Sequence, residues 1–115
     1  MLRYSIRKNE KWLIEYIEGL KNLMGDRLSL IILYGSYARG DWDEESDVDI
    51  LIVIDDDINN LQLYKQKIVR LESEIILRYG VLISSIITLK STYTSKVNFI
   101  PLYININKEG KLLYG

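Results

Sequence analysis

The sequence predicts an α/β domain built on a small mixed β-sheet that is covered by helices. Two observations carry this prediction: segments with apolar residues at helical spacing alternate with strand-length apolar runs, and those runs are rich in β-branched residues. The chain has 115 residues, of which 48% are hydrophobic and 27% charged, and this suits one globular domain over residues 1–115.

The first half of the chain is predicted to contain a helix, a strand and a second, short helix. Apolar side chains at helical spacing predict a helix over residues 10–24, and Gly25 is a good C-terminal stop. The apolar run 28–34 predicts a buried strand. Residues 36–40 are then expected to form a short helix, with Ser36 near its N-cap.

The second half is predicted to contain two strands, each followed by a helix. The β-branched run 48–54 comes after a polar loop and predicts the second strand. Residues 61–79 carry a helical stripe of apolar side chains, and residues 81–89 predict a third strand. A C-terminal helix follows, with Asn98 as a candidate cap and Pro101 in its first turn.

The residue types that are missing limit the chemistry. The chain contains no histidine and no cysteine, which excludes histidine-based catalysis, thiolate chemistry and disulfides. Any bound metal must therefore be held by oxygen ligands, and this favours Mg²⁺ or Mn²⁺. The net charge of −1 gives no signal for nucleic-acid binding, and no segment resembles a signal peptide or a membrane span, so we expect a cytoplasmic protein.

The turn Gly35-Ser36 joins the first strand to the short helix. A glycine here lets a ligand approach the backbone, and the free N–H groups at the start of a helix attract phosphate. The serine hydroxyl adds a hydrogen-bond donor. A Gly-Ser turn alone is more often a plain connection between a strand and a helix. It therefore indicates a phosphate site only in combination with other candidate site residues.

Asp47 and Asp49 flank Val48 at the start of the second strand. Residues i and i+2 of a strand point to the same face, so the two carboxylates converge while Val48 points into the core. Two like charges this close repel one another unless a cation lies between them. The alternative is that both acids are solvated at an exposed edge of the sheet. However, residues 50–53 are all apolar and do not alternate with polar residues, which predicts a strand buried on both faces.

Arg39 lies three residues after Ser36, on the same side of the predicted helix. It is a candidate for steadying a phosphate group, or for an ion pair with Asp47 or Asp49. An internal salt bridge is as consistent with the sequence as a contact with a nucleotide.

These residues resemble the signature of the DNA polymerase beta-like nucleotidyltransferases, which has Gly-Ser, a spacer, and two acids around one apolar residue. Residues 35–40 (GSYARG) and 46–49 (SDVD) fit closely the small stand-alone version, the minimal nucleotidyltransferase domain. The signature covers residues 33–54, and the order of elements agrees over most of the chain. The resemblance therefore implies the polymerase beta-like nucleotidyltransferase fold.

In that family the paired acids bind two metal ions, which hold the triphosphate while a hydroxyl attacks the α-phosphorus and pyrophosphate leaves. The resemblance thus implies that Asp47 and Asp49 are catalytic metal ligands. It also implies that Gly35 and Ser36 bind the nucleotide, with Arg39 as a weaker candidate. Mg²⁺ or Mn²⁺ is the implied cofactor, and an NTP, with ATP as the expected one, is the implied substrate.

One departure from the family concerns a third acid, which the family usually carries on a later strand. The corresponding stretch, 81–88, offers Ser84 and Ser85 but no carboxylate. Serine is a poor metal ligand and no base at neutral pH. We therefore expect a weak or absent second metal site, with the base supplied by the substrate or another residue, or else binding of nucleotide without transfer.

Three functions are compatible with these residues. The leading interpretation is a metal-dependent nucleotidyltransferase acting on a hydroxyl of a partner protein, and the resemblance implies a small helical HEPN partner with this chain as its antitoxin. The alternative is a catalytically weak nucleotide-binding module that neutralises the partner by binding alone. An aminoglycoside-type enzyme is less favoured because those enzymes carry an added helical domain for the acceptor, although a homo-oligomer could build such a pocket.

Overall fold

A computed structural model describes residues 1–115, and their four strands form one mixed sheet. The strands are β1 (Leu28–Tyr34), β2 (Val48–Ile54), β3 (Ile83–Leu89) and β4 (Lys111–Tyr114). Their spatial order is β3-β2-β1-β4; β1 is antiparallel to both of its neighbours, whereas β2 and β3 are parallel. The predicted α/β class with a mixed sheet is confirmed.

Five α-helices cover the two faces of this sheet. They are α1 (Lys11–Met24), α2 (Gly35–Arg39), α3 (Leu61–Tyr79), α4 (Lys90–Lys96) and α5 (Pro101–Glu109). The long helices α1 and α3 lie on one face, and α4 and α5 lie on the other. The Tyr16 hydroxyl of α1 donates a 2.5 Å hydrogen bond to Glu72 of α3. None of these helices combines the length and apolar character that a membrane span requires.

The central strand β2 is buried on both of its faces, as its unbroken apolar sequence predicts. Ile50 and Ile52 belong to the larger core beneath α1 and α3. Leu51 and Val53 belong to a smaller core together with Ile106 of α5. All of these side chains are fully buried, so β2 is a rigid base for the acids at its beginning.

The structure differs from the prediction in the last third of the chain. Helix α4 is not predicted because its Ser- and Thr-rich sequence has no apolar stripe. Strand β4 is not predicted because its four residues are ordered by pairing with β1. The role of Asn98 as a cap is wrong: Ile100 is the N-cap of α5, and Pro101 is its first residue, as predicted. The third strand starts at Ile83 instead of residue 81.

Candidate active site

The candidate site lies where β1 ends and β2 begins. Antiparallel pairing places Tyr34, the last residue of β1, opposite Asp49 of β2. Gly35 follows directly, and its backbone packs so closely on the Asp49 carboxylate that a Cβ at Gly35 would overlap it. The sheet register therefore brings the Gly-Ser turn and the acidic pair into one place.

The turn itself depends on glycine. Gly35 has a φ of +71°, in the left-handed region that other residues rarely adopt. Helix α2 begins at Gly35 with Tyr34 as its N-cap, so Ser36 is the second residue of the helix. The helix starts one residue earlier than the sequence pattern indicates, and Ser36 lies in its first turn, near the N-cap as predicted.

The two acids flank a residue that anchors them in the core. Val48 is fully buried, Asp47 is exposed and Asp49 is half-buried. Burial raises the pKa of Asp49, and the negative charge of Asp47 raises this pKa further. Ionisation of Asp49 is thus disfavoured by its surroundings, and a bound cation would reverse that preference.

The loop before β2 is ordered by its own hydrogen bonds. The Ser46 hydroxyl donates to Asp43 Oδ1 at 3.1 Å and accepts a hydrogen bond from the Asp43 backbone N–H at 3.1 Å. The Glu45 N–H also donates to Asp43 Oδ1, at 2.9 Å. Ser46 therefore shapes the turn into the strand, and this fixes the point at which Asp47 leaves the loop.

Arg39 does not pair with Asp47 or Asp49, so that alternative is wrong. Its guanidinium donates to Asp41 at 3.2 Å and to Glu109, near the end of α5, at 3.2 Å. Both partners are solvent-exposed carboxylates, and such pairs contribute little to stability. The positive charge of Arg39 nevertheless lowers the pKa of Asp49, which opposes the increase caused by burial and by Asp47.

Ser84 lies beside the acidic pair. In the parallel register of β2 and β3 it is the partner of Asp49, and register partners point to the same face of a sheet. Its side chain is exposed. The structure thus places the Ser84 hydroxyl next to Asp49. A third acid on β3 would occupy this position, but the chain has none there, and no cluster of three acids forms.

Tyr34 is a site residue that the sequence pattern does not single out. Burial raises the pKa of its phenol, and the neighbouring charge of Asp49 adds to the effect. The phenol therefore stays protonated at neutral pH and is a potential hydrogen-bond donor at the site. Only the strand register identifies it, because nothing in the sequence says that Tyr34 faces Asp49.

The donor groups at this site suit a hard cation. Asp47 and Asp49 supply carboxylate oxygens; burial, and after it the charge of Asp47, raises the pKa of Asp49, and a cation would neutralise the negative charge of the two acids. Mg²⁺ is commonly bound by one or two carboxylates, with waters and substrate phosphates as its remaining ligands. Two acids beside an open glycine backbone fit this mode of binding, in which the substrate completes the coordination shell.

Comparison with known proteins gives two kinds of match. Residues 13–111 match the family model of a nucleotidyltransferase domain. Two curated relatives from Methanocaldococcus jannaschii are named "Putative protein adenylyltransferase MJ0604" and "Putative protein adenylyltransferase MJ0141". The first is 39% identical over 105 residues, which are 91% of this chain and 97% of the relative. The second is 43% identical over 89 residues, or 77% of this chain and 88% of the relative.

Solved structures share the fold at lower identity. The crystal structure of a toxin–antitoxin with AMP-PNP has a TM-score of 0.55 and 20% identity, covering 87% of this chain and 71% of that chain. A mutant of the toxin–antitoxin MntA-HpeT has a TM-score of 0.53 and 19% identity, covering 96% of this chain and 74% of that chain. At these identities the likeness concerns the fold.

Proposed function

The chain belongs to the nucleotidyltransferase domain family, and on that premise we propose that it transfers a nucleoside monophosphate from an NTP to a hydroxyl of a partner protein. ATP is the proposed nucleotide. One observation carries the proposal: the Gly35 backbone lies against the Asp49 carboxylate, so a phosphate at the turn would also reach the acidic pair. Use of a nucleoside triphosphate also agrees with the expected cytoplasmic location.

The proposed roles follow from where each residue lies. Asp47 and Asp49 would hold Mg²⁺ or Mn²⁺, which when bound neutralises phosphate charge and makes the α-phosphorus a better electrophile. The backbone of Gly35 and the hydroxyl of Ser36 would contact the phosphates. Arg39 is exposed and tied only to surface carboxylates, so it is free to exchange one of them for a phosphate.

The transfer itself is a displacement at phosphorus. The acceptor oxygen bonds to the α-phosphorus, the bond from that phosphorus to the bridging oxygen breaks, and pyrophosphate leaves. The proton of the acceptor hydroxyl passes to solvent or to the substrate, because Ser84 is no base at neutral pH. The chain's own contribution is to position the triphosphate and to place negative charge where a cation is needed.

The proposed acceptor is a side-chain hydroxyl on a HEPN-type toxin, with this chain as its antitoxin. The names of the two relatives support a protein as the acceptor. The fold neighbours include toxin–antitoxin pairs, one of them with AMP-PNP, which supports both the partner class and an adenine nucleotide.

Intact-mass spectrometry tests this proposal directly. The chain is incubated with Mg²⁺, a mixture of the four NTPs and the protein encoded next to it. We expect the partner to gain the mass of one nucleoside monophosphate, and the size of the gain identifies the nucleotide. A stable complex without any mass gain would contradict transfer.

A second candidate function is neutralisation of the partner by binding alone. The specific observation in its favour is the position of Ser84, which places a hydroxyl where a third carboxylate would complete a cluster around Asp49. In that case nucleotide binding has no product, and the partner is inhibited without a change in its mass.

Replacing Ser84 by Asp distinguishes a weakened enzyme from a pure binder. Its position beside Asp49 predicts that Ser84→Asp adds a third oxygen ligand and lowers the Mg²⁺ concentration needed for half-maximal transfer by about tenfold or more. A magnesium titration of the transfer rate measures this. Ser84→Asn is the matched control, since it adds similar bulk without charge; an equal response of both variants would refute a metal-binding role for this position.

A further inference from the structure

Strand β3 forms an outer edge of the sheet that nothing in the chain pairs with. The opposite edge, β4, is covered by the N-terminal segment: Tyr4 N–H donates to the Leu112 carbonyl at 2.9 Å, and Leu112 N–H donates to the Leu2 carbonyl at 2.8 Å. On the β3 side, β2 is the only paired neighbour. One edge is therefore closed within the chain and one is open.

The open edge lacks the features that protect exposed strands. Its seven residues, ISSIITL, include no charged residue and no proline, and its pairing with β2 runs without a bulge. Natural proteins usually protect an exposed edge with a lysine, a proline, a bulge or a covering segment. An uncharged edge of this length without a bulge is a site at which another strand can add.

An apolar groove runs beside the same edge. It lies between α3 and β3 and has a volume of about 330 Å³. Four apolar residues line it, Ile68, Val69, Ile86 and Ile87, together with Ser85 and Lys65, whose charge lies on α3 and not on the strand. Val69 is 61% exposed, and Leu82, just before β3, is 51% exposed. These are large exposed fractions for apolar side chains, and a second chain on the edge would cover them.

We propose that a second copy of this chain pairs with β3, in an antiparallel arrangement whose two-fold axis passes at Ile86. The strand sequence is nearly symmetric about that residue. On one face, Ser84 lies opposite Thr88 and Ile86 lies opposite itself, so hydroxyl meets hydroxyl and isoleucine meets isoleucine. On the other face, Ile83 lies opposite Leu89, and Ser85 lies opposite Ile87, which is the one unmatched pair. Matched pairs of these kinds stabilise antiparallel strands, and a two-fold interface requires this self-complementarity.

The length of the open edge limits the area that a dimer can bury. A seven-residue strand is roughly 23 Å long. With the flanking groove it gives an interface near the lower limit for specific complexes, about 1,200 Å² in total. An interface of this size fits a reversible dimer, whose affinity depends on how well its central residues pack. Because Ser84 is on β3 next to Asp49, the second copy would border the open side of the candidate site.

Cysteine cross-linking tests the register, and the chain has no cysteine of its own. Directly opposed residues of antiparallel strands have Cα atoms about 4.5–5.5 Å apart, which a disulfide can bridge. Ile86→Cys should therefore form a linked dimer on mild oxidation. Ile87→Cys is the matched control, because its own copy lies diagonally, roughly 7–8 Å away, and should link at least tenfold more slowly.

Sedimentation velocity over a concentration series tests the dimer itself. The unmodified chain should shift from monomer to dimer, and Ile86→Lys, which places two like charges on the axis, should raise the dissociation constant at least tenfold. Leu102→Lys, at a partly exposed site on α5, should leave it unchanged. A chain that stays monomeric at about 100 μM, or equal linking of the two cysteine variants, would overturn the proposal; neither result depends on nucleotide transfer.

Discussion

Replacing Asp49 by Asn should reduce nucleotide transfer by about a thousandfold or more while the domain remains folded. A metal ion contributes several kcal/mol to a reaction of this type, and that converts to a thousandfold or greater change in rate. The fold should tolerate the change because burial and Asp47 raise the pKa of Asp49, which means that its charge is a cost to the folded state in the absence of a cation. Rates of mass gain on the partner measure the effect.

The matched control is Glu44→Gln. Glu44 is an exposed acid in the loop just before Asp47, so the substitution removes the same charge from the same region. Its transfer rate should stay within about twofold of the unmodified chain, as expected for an exposed residue outside the site. If Asp49→Asn retained more than a tenth of the original rate, the assignment of Asp49 as a metal ligand would be wrong.

The double variant Asp47→Asn with Asp49→Asn separates transfer from binding. If transfer neutralises the partner, the double variant should still form the complex but leave the partner active. If the double variant neutralises the partner fully, the binding-module function is correct and the acidic pair is not needed for it. Partner binding and partner activity must therefore be measured in the same samples.

The sequence predicts those parts of the molecule that depend on neighbouring residues in the chain. The stripe of α3, the burial of β2 on both faces and the orientation of Val48 all follow from periodicity within a few residues. The turn at Gly35 is predictable for the same reason, because a glycine between a strand and a helix indicates a tight turn in the backbone.

The remaining features depend on contacts between distant segments. The ion pair of Arg39 with Glu109 requires α5 to lie against α2, and nothing near either residue indicates this. The pairing of Tyr34 with Asp49 and of Asp49 with Ser84 depends on strand order and register. These properties are set by packing of the whole sheet, which a local pattern does not specify.

Replacing Gly35 by Ala should impair both stability and transfer. The positive φ of Gly35 makes any Cβ unfavourable, and we expect a loss of about 1–2 kcal/mol in the free energy of unfolding. The new methyl group would also overlap the Asp49 carboxylate and displace it. A displacement of about 1 Å at a reacting centre can cost on the order of 100-fold in rate, so transfer should fall by that factor.

Gly40→Ala isolates the contribution of the carboxylate contact. Gly40 also has a positive φ, +82°, but a Cβ there would meet no atom within 4 Å. Both variants should lose stability in urea unfolding, since both force an alanine into the left-handed region, and Gly35→Ala should lose at least as much because its methyl group also meets Asp49. Only Gly35→Ala should lose transfer when the two are compared below their unfolding transitions. Equal losses of transfer would show that backbone strain, and not the fit between Gly35 and Asp49, accounts for the effect.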